Sequence, residues 1–307
     1  MDRLTLMAIF VAVAEAQSFA GGARRLGLSA PAATRAVAAL ENRLGVKLLS
    51  RTTRHVRVTD AGQRYLEDAK RIIHDVDEAD EAAAGINAAP RGQLAVTAPV
   101  LFGKLHVIPG IVEYLQRFPD MEISAMFLDR VVNLLEEGLD VGIRIGELPD
   151  SSMRAIRAGQ VRWVLCAAPA YLEEMGVPQL PNELDRHCLI TTAAGSWSAA
   201  EWKFGGGEKT QSYKARSRLC ISSNDAAIEA AVRGLGIARV LSYQIAPLLA
   251  AGQLQALLTA HEPPALPVHV LHREGRHASA KVRTFVDFMV EKLRADKALN
   301  AMQPGTE

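Results

Sequence analysis

Signals that start and stop helices crowd residues 18–31, and they constrain the fold more than any other feature of the sequence. Ser18 is a favourable N-cap for a helix, and Gly27 suits the left-handed backbone that often ends one. Ser29 can cap a further helix, with Pro31 in its first turn, where the missing N–H costs nothing. Two helices joined by such a short turn form a helix–turn–helix.

Apolar residues at helical spacing predict three helices in this region. The first ends near Ala16, the second spans residues 19–26 and the third spans about residues 30–44. The residues expected to face inward are Leu6, Ile9, Phe10 and Val13 on the first helix, Phe19, Ala23 and Leu26 on the second, and Ala33, Val37, Leu40 and Leu44 on the third.

With that face buried, the third helix presents small and basic residues to solvent, as close docking in a DNA major groove requires. Arg35 can bind guanine or clamp a phosphate, and Thr34 can hydrogen bond to either. Residues 46–59 predict two short strands around a basic wing tip, and the alternative is an ordinary three-helix domain with a solvated basic face. The tip residues are Arg51, Thr52, Thr53 and Arg54.

The distribution of charge favours a polyanionic partner for this region. The whole chain has 35 Lys and Arg against 34 Asp and Glu, a formal net charge of +1. Residues 20–65, however, hold nine basic residues against two acidic ones, and residues 66–89 hold two against seven. The near-neutral total is therefore a cancellation between neighbours, and the basic block is typical of a small nucleic-acid-binding module attached to another domain.

A long polar, acidic helix is predicted over residues 60–88, with a narrow apolar stripe that repeats in heptads. Such a stripe is what one helix offers another in a coiled coil, and a dimer would let two recognition helices contact two half-sites. The alternative is that the stripe packs against its own domain. Residues 88–92 break the helix and form the linker. The predicted dimer seam consists of Tyr65, Ala69, Ile72, Val76, Ala79 and Ala83.

Beyond residue 93 the pattern changes to strands that alternate with helices. Strands are predicted at 94–98, 122–127 and 140–145, with helices at 105–118 and 131–137 between them. This βαβαβ order predicts a parallel sheet with helices on its faces.

A second α/β run follows, and the chain then returns to the first. Two lobes joined by two crossings form a hinge and a cleft, which suits a small ligand. The predicted elements of this part are strands near 161–166, 188–192, 213–221, 237–240 and 268–271, and helices at 226–233 and about 280–294.

The cleft shows no pattern typical of an active site. Gly234 and Gly236 follow a helix instead of a strand, so they are not a dinucleotide fingerprint, and residues 205–207 predict a hairpin tip. His269 and His272 have no partner at the spacing of a metal site, and no Ser lies in a nucleophile elbow. We therefore expect a sensor that is not an enzyme, with no catalytic residues, no metal and no cofactor.

Ligands of open α/β sheets meet the carboxyl ends of the strands and the helix N-termini beyond them. Arg144 is the strongest candidate for a ligand contact, because its guanidinium can form two hydrogen bonds to a carboxylate, unless it pairs internally with Asp140 or Glu147. We expect a small organic effector that is anionic or aromatic. The residues expected to line its site are Thr97, Pro99, Val100, Leu101, Phe102, Leu128, Arg144, Gly146, Thr192, Trp197, Ser223 and Asn224.

Three features bear on the cellular compartment. The cysteines Cys166, Cys188 and Cys220 are odd in number and scattered, which favours small buried residues in a reducing cytosol over a redox-sensing pair. Asp2 lies where a signal peptide carries positive charge, and no run of about 18 uncharged apolar residues predicts a membrane span. We expect a cytoplasmic protein.

Taken together, these residues resemble the LysR-type transcriptional regulators along nearly the whole chain. The most specific stretch is residues 19–62, where LGLS, LE, LGVKLL, RTTR, VT and AG follow one another as in that family's DNA-binding signature. Residues 97–102, 138–152 and 162–171 resemble a large subgroup of its effector domains. The resemblance implies a winged helix–turn–helix, a dimerising linker helix and a two-lobed domain similar to periplasmic binding proteins. It also implies dimers or tetramers on DNA and a small-molecule co-inducer between the lobes.

The resemblance also assigns positions, and the chain departs from the family pattern at two of them. Pro31-Ala32-Ala33-Thr34 replaces the usual Ser-Ala-Val-Ser, and Arg239 interrupts an apolar GIALLP-like run, where it puts a charge near the cleft. By position, the groove contacts are Ser29, Pro31, Thr34 and Arg35, and the wing contacts are Arg51, Thr52, Thr53 and Arg54.

We therefore expect a sequence-specific regulator of transcription that binds double-stranded DNA and is controlled by an effector between two lobes. The alternative is a DNA-binding regulator with a vestigial cleft and no effector; an enzyme fused to a DNA module lacks a catalytic constellation. The expected domains are a winged helix–turn–helix at 1–60, a linker helix at 61–89 and an effector domain at 90–307, with lobe I at about 90–164 and 267–299 and lobe II at about 165–266.

Overall fold

The computed structural model describes residues 1–51, 56–83, 89–148, 153–192, 200–206, 210–272 and 279–300, without the side chains of Arg51, His74, Asp75 and residues 77–83. The chain divides into two compact units, Met1–Ala88 and Ala89–Glu307. We call them the DNA-binding unit and the regulatory unit after the sequence predictions. Among the described residues, no helix has both the length and the apolar character needed to cross a bilayer.

The DNA-binding unit has the predicted helices and wing strands. Caps fix the helix ends: Ser18 and Ser29 each accept a hydrogen bond from a backbone N–H three residues on, and Gly27 and Gly45 have φ of +64° and +69°. The winged helix–turn–helix is therefore confirmed as the local fold. Its elements are α1 Arg3–Glu15, α2 Phe19–Arg25, α3 Ala30–Leu44, β1 Leu49–Arg51, β2 Val56–Val58 and α4 Asp60–Ala83.

The inward faces of these helices follow the predicted spacing, with one exception. Val37, Leu40 and Phe10 are buried together in one cluster that also receives residues of the wing strands. Leu26, which we predicted to face inward, is 42% exposed because α2 ends at Arg25 and Leu26 already belongs to the turn.

The first lobe of the regulatory unit is a five-stranded sheet of order β4-β3-β5-β14-β6. The parallel pairing predicted from the βαβαβ order holds for β3 with β4 and with β5, whereas β14 and β6 are antiparallel additions. The elements are β3 Gly92–Ala98, α5 Val100–Phe102, α6 Ile108–Arg117, β4 Met121–Phe127, β5 Val141–Ile145, β6 Arg154–Val161, β14 Leu266–His272 and α10 Ala280–Ala295.

Two helix predictions in this lobe need correction. The first helix begins at Val100 instead of residue 105 and continues through a π-helical turn, Gly103–Val107, into α6. Residues 131–137 form only a turn. There the Asn133 side-chain oxygen accepts the Leu135 N–H at 3.0 Å, which competes with the helical pattern, and Gly138 (φ +63°) follows.

The second lobe is a five-stranded sheet of order β11-β8-β12-β7-β13, beside a separate antiparallel hairpin of β9 and β10. The strand predicted at 213–221 is in fact two strands that belong to different sheets. The elements are β7 Trp163–Ala167, α7 Pro169–Met175, β8 Leu189–Thr192, β9 Ala200–Phe204, β10 Gln211–Ala215, β11 Leu219–Ile221, α8 Asn224–Val232, β12 Ile237–Leu241, α9 Ser242–Ala250 and β13 Gln255–Leu257.

The passages of the chain between the two sheets are tied together at Arg162, which lies between β6 and β7. The backbones of Arg162 and Ser242 are linked, since the Ser242 N–H donates to the Arg162 carbonyl at 2.8 Å and the Arg162 N–H donates to Ser242 Oγ at 3.1 Å. The Arg162 guanidinium forms an ion pair with Glu262, which lies on the passage from β13 to β14. We call these three residues the lobe junction.

Candidate functional site

The exposed face of α3 holds the predicted groove contacts. Pro31 and Arg35 are exposed, Thr34 is half-buried, and Arg35 makes no ion pair or side-chain hydrogen bond with any residue that the structure describes. Ser29 Oγ accepts the Ala32 N–H at 3.3 Å, so the hydroxyl caps the helix and keeps its own proton for a further acceptor. These positions can contact a phosphate or a base edge, whereas two of the cations in the same basic block are already paired.

Two of those neighbouring cations illustrate the difference. Arg25 pairs with Glu15 at 3.3 Å, and Lys47 pairs with Glu41 at 2.6 Å.

Helices α1 and α2 pack very closely at Gly22, where an added Cβ would lie 2.6 Å from the Val13 backbone. Only glycine fits there, which fixes the position from which α3 is presented.

The wing is anchored by a residue that the sequence analysis missed. The Glu41 side chain is only 7% exposed, and its Oε1 accepts the N–H groups of Leu48 and Leu49 at 3.0 and 3.1 Å. Burial raises the pKa of this carboxyl, but the hydrogen bonds from Lys47 and from the two N–H groups outweigh it, so the pKa is lowered. The available signal was an acidic residue inside a strongly basic block.

The wing tip itself lies outside the described residues. This applies to Thr52, Thr53 and Arg54, and to the side chain of Arg51, all four of which we predicted as wing contacts. The strands that carry the tip are described, with Leu49 opposite Val58 and Arg51 opposite Val56.

The predicted dimer seam on α4 begins too early. The Tyr65 ring packs 5.7 Å from that of Phe10 on α1, and Ala69 is completely buried, so both residues belong to the core of their own unit. Ile72 and Val76 are half-buried and remain candidates for a seam. The side chains of Ala79 and Ala83 lie outside the described residues.

In the regulatory unit, two of the predicted effector-lining residues are completely buried. Phe102 is completely buried and packs against His106 and Tyr243, with ring centroids 4.9 and 5.2 Å away, because the helix starts earlier than predicted. Thr97 is also completely buried, and its Oγ1 has no hydrogen-bond partner among the described residues. Phe102 is therefore corrected to a core residue.

The other predicted positions at the ends of the first-lobe strands are accessible to different degrees. Pro99 and Leu101 are partly exposed, Val100 is 42% exposed, and Leu128 is partly exposed. Asp129 Oδ1 accepts the Val100 N–H at 2.9 Å and so occupies the start of the helix. A carboxylate of the chain itself already interacts with this helix N-terminus.

Arg144 does not pair with Asp140 or Glu147 in the described contacts. Its guanidinium donates to the Val132 carbonyl at 2.8 Å, and its pKa is lowered mainly by burial, which the charge of Glu137 partly opposes. Gly146 follows with φ of +111°, a backbone conformation that only glycine adopts without strain.

The second lobe contributes a helix N-terminus of the same kind. Ser223 Oγ accepts the Ala226 N–H at 3.3 Å and hydrogen bonds to Asp225, and Asn224 begins α8. The pKa of Asp225 is lowered, mainly by the Ser223 hydrogen bond and least by the charge of Lys104 on the first lobe. Thr192 ends β8, and Trp197 lies outside the described residues.

Other chemistry is not apparent in the described part of the chain. No cluster of three or more His, Cys, Asp or Glu residues could hold a metal ion there. Burial raises the pKa of the Cys166 thiol to about 12, and Cys188 and Cys220 are likewise free thiols. The Cys166 thiol is therefore held in its neutral, unreactive form.

Known proteins share both units. Residues 4–63 match the family profile "Bacterial regulatory helix-turn-helix protein, lysR family", and residues 87–294 match the profile "LysR substrate binding domain". An HTH-type transcriptional repressor of Pseudomonas aeruginosa is 33% identical over 292 residues, which cover 95% of this chain and 92% of the relative. The transcriptional activator TtdR of Escherichia coli is 29% identical over 282 residues, 92% of this chain and 90% of TtdR.

A solved structure extends the similarity to the full length. The Vibrio cholerae virulence activator AphB, described as a member of the LTTR protein family, matches with a TM-score of 0.63 at 25% identity. The match covers 94% of this chain and 99% of that one.

Proposed function

This chain belongs to the LysR family of bacterial transcriptional regulators, and we propose that it binds a specific operator as an oligomer whose activity is set by a small organic effector between its two lobes. That it is a DNA-binding regulator with a substrate-binding domain follows from family membership. The proposal adds the sequence specificity, the residues involved, the control by an effector and action in the cytoplasm. We further propose the domain limits 1–60, 61–89 and 90–307.

The exposed, unpaired Arg35 on α3 carries the DNA-binding part of the proposal. Most positions of α3 that face the interior are apolar, and Arg35 lies on the opposite face beside Thr34. Arginine in this position can donate two hydrogen bonds to guanine, whereas the salt-bridged Arg25 first has to leave its partner. We assign the groove contacts to Ser29, Pro31, Thr34 and Arg35.

Replacing Arg35 tests this assignment. Arg35→Ala is expected to weaken operator binding by about 1–3 kcal/mol if the side chain contacts a base edge, and to relax specificity at one operator position. The measurement is a binding titration against the operator and against variants of it with single base changes.

Arg71→Ala is the matched control, because Arg71 is an exposed arginine of the same unit that pairs with Asp68 on α4. Its operator affinity should stay within a factor of two of the unmodified protein. Equal affinities for Arg35→Ala and the unmodified protein would remove Arg35 from the recognition surface.

Oligomer formation is assigned to the exposed part of α4. We propose that Ile72 and Val76 lie in the seam, since the residues before them, Tyr65 and Ala69, pack in the core of their own unit. Introducing Asp at both positions is expected to lower the mass measured by light scattering, because two charges would be desolvated in an apolar seam. An unchanged mass would place the main interface elsewhere, and Glu67→Gln, on the same helix, serves as the control.

The two-lobed shape of the regulatory unit supports control by an effector. Its lobes meet at the lobe junction and where Tyr243 of α9 packs against Phe102 and His106, and each lobe has a helix N-terminus that follows the carboxyl end of a strand. A ligand that prefers one arrangement of the lobes shifts the equilibrium between them, typically with about 1–3 kcal/mol of coupling to the DNA site.

A library of small metabolites tests the effector hypothesis against a vestigial cleft. A compound that raises the thermal midpoint and also changes operator affinity is the expected result. The vestigial cleft is favoured if no compound stabilises the protein while operator binding is intact.

A further inference from the structure

Arg162, Arg144 and Arg239 of the regulatory unit are each partly withdrawn from water, and they differ in what balances their charge. Arg162 has the carboxylate of Glu262. Arg144 has the Val132 carbonyl and the nearby charge of Glu137. Arg239 donates to the Lys203 carbonyl at 3.1 Å and makes no ion pair with the described residues.

The Arg239 side chain is held in one orientation by an aromatic platform. Its guanidinium carbon lies 4.8 Å from the centroid of the Trp163 ring, a distance typical of a cation–π contact. Burial lowers the pKa of Arg239 to about 10, still well above neutral pH, so the group remains charged. Among the described residues this partly desolvated guanidinium has a carbonyl and a ring as partners but not the anion that usually accompanies such a group.

Arg239 also lies close to the lobe junction. It pairs with Leu165 on β7, and two residues later Leu241 packs against the core of the first lobe. Ser242 follows directly and hydrogen bonds to Arg162. A ligand between the lobes could therefore reach the guanidinium from the carboxyl end of β12.

Competing anion sites near the cleft are already occupied by the chain. Asp129 accepts the first N–H group of the first-lobe helix, and Ser223 and Asp225 lie at the start of α8. An anionic ligand at either helix start would meet a carboxylate of like charge. Arg239 has no acidic neighbour of this kind among the described residues.

We propose that Arg239, stacked on Trp163, binds the carboxylate of a small organic acid and thereby selects the effector. The inference rests on the proposed function in that the acid is the effector. The planar guanidinium fork matches the two oxygens of a carboxylate, and the ring of Trp163 fixes the fork before the ligand arrives, so little side-chain entropy is lost on binding.

The test uses the full-length protein and four acids, namely acetate, malonate, succinate and benzoate, each compared with its uncharged amide. We expect at least one acid to raise the thermal midpoint of the unmodified protein while its amide does not. Arg239→Gln should weaken the apparent affinity for that acid at least tenfold. Arg233→Gln should stay within twofold, because Arg233 is an exposed arginine of the same lobe that pairs with Glu229.

Two further variants keep the test decisive if Arg239→Gln unfolds. Arg239→Lys retains the charge without the fork, and an intermediate loss of affinity is expected. Trp163→Phe should remove the change in tryptophan emission that accompanies acid binding while the thermal shift persists. The proposal is overturned if no acid raises the midpoint, if the amides act as well as the acids, or if the Arg239 variants bind like the unmodified protein.

Operator titrations separate this inference from the proposed function. An uncharged compound that changes operator affinity independently of Arg239 would leave effector control standing and remove the carboxylate site. Acids that bind through Arg239 without changing operator affinity would leave the site standing and remove effector control.

Discussion

In the described part of each unit, one glutamate has a well-buried side chain that pairs with a cation, and the pKa values of these two glutamates are shifted in opposite directions. Glu41 in the DNA-binding unit accepts hydrogen bonds from Lys47 and from two backbone N–H groups. Glu262 at the lobe junction has one described partner, Arg162, and its second oxygen is buried without a hydrogen bond.

The pKa values of the two carboxyls diverge accordingly. Burial acts to raise the pKa of both carboxyls. At Glu41 the hydrogen bonds outweigh burial, so the pKa is lowered. At Glu262 the bond and charge of Arg162 only partly offset burial, so the pKa is raised. Glu41 has three hydrogen-bond donors against one at Glu262, which accords with the opposite directions of the two pKa shifts.

This difference matches the tasks of the two regions. The wing has to keep one position beside α3, and a fully satisfied carboxylate holds its strand rigidly. Under the effector control proposed above, the junction has to permit different arrangements of the lobes, and an incompletely satisfied charge would make the observed arrangement less strongly favoured.

Replacing Glu41 should give the largest effect and is the strictest test of this contrast. Glu41→Gln is expected to destabilise the DNA-binding unit by about 3 kcal/mol, because two charge-assisted backbone hydrogen bonds and the Lys47 pair are weakened together. All three tryptophans lie in the regulatory unit, so tryptophan fluorescence during urea unfolding reports that unit alone. Circular dichroism should show an earlier transition while the fluorescence midpoint stays the same.

Glu67→Gln is the control for this variant. Glu67 is an exposed acid of the same unit that hydrogen bonds only to Gln63. It should leave both midpoints within experimental error. A shift in the fluorescence midpoint of Glu41→Gln would contradict a role confined to the wing.

Glu262→Gln should cost less, about 1 kcal/mol, and should lower the fluorescence midpoint, which Glu41→Gln leaves unchanged. The amide keeps a hydrogen bond to Arg162 and removes a negative charge whose desolvation is incompletely offset. Arg162 is itself 20% exposed and can gain hydration. A loss as large as that of Glu41→Gln would show that the junction is held as tightly as the wing.

The smallest effect is expected in the pH dependence, where the two units should respond with opposite signs. Glu41 has a lowered pKa, so its stabilisation is present above the ordinary value of 4.5 and is lost as the pH falls through the lowered pKa. Glu262 has a raised pKa, so the folded state holds the proton more tightly and the carboxyl disfavours folding increasingly as the pH rises from 4.5 through the raised pKa.

Urea midpoints between pH 3 and pH 7 measure both responses when each unmodified transition is compared with that of its glutamine variant. The difference in urea midpoint between the unmodified protein and Glu41→Gln should become smaller as the pH falls. The difference between the unmodified protein and Glu262→Gln should become smaller as the pH rises toward neutrality. The same sign in both units would refute the role assigned to the missing hydrogen bonds.

The sequence predicted the DNA-binding unit well because its helix ends are determined by capping residues that act locally. Ser18, Gly27 and Ser29 act within a few residues, and the structure places each in its predicted role. The role of Glu41 could not be predicted in this way, because its backbone partners lie seven and eight residues further along the chain.

In the regulatory unit, the parallel pairing of the first three strands and the general fold were predicted, but the positions of the helices and the residues that they bury were not. The start at Val100 was hidden by Pro99 and Gly103, which are typical of loops, and the π-helical turn was not foreseen. Gly103 is required there because a Cβ would come within 2.5 Å of the Phe127 ring. A tertiary contact of this kind leaves no periodic pattern in the sequence. Because the early start of the helix was missed, Phe102 was predicted to line the ligand site instead of the core.

The sequence also singled out Arg239 as a departure without indicating its surroundings. Trp163 precedes Arg239 by a long stretch of chain, and only the antiparallel pairing of β7 with β12 brings them together. Contacts across strands of this kind depend on register, which single-sequence patterns specify weakly.

The tie between Arg162, Ser242 and Glu262 also has a mechanical consequence. Two crossings of the chain, at Arg162 and Glu262, and the start of α9 at Ser242 are pinned together at one point. We expect these segments to turn about that point more easily than they slide past each other, so that motion of the lobes would resemble hinge bending more than shear, with a displacement that grows with distance from the pin. A ligand that closes the lobes by a small amount near the pin would move their far ends by several times as much.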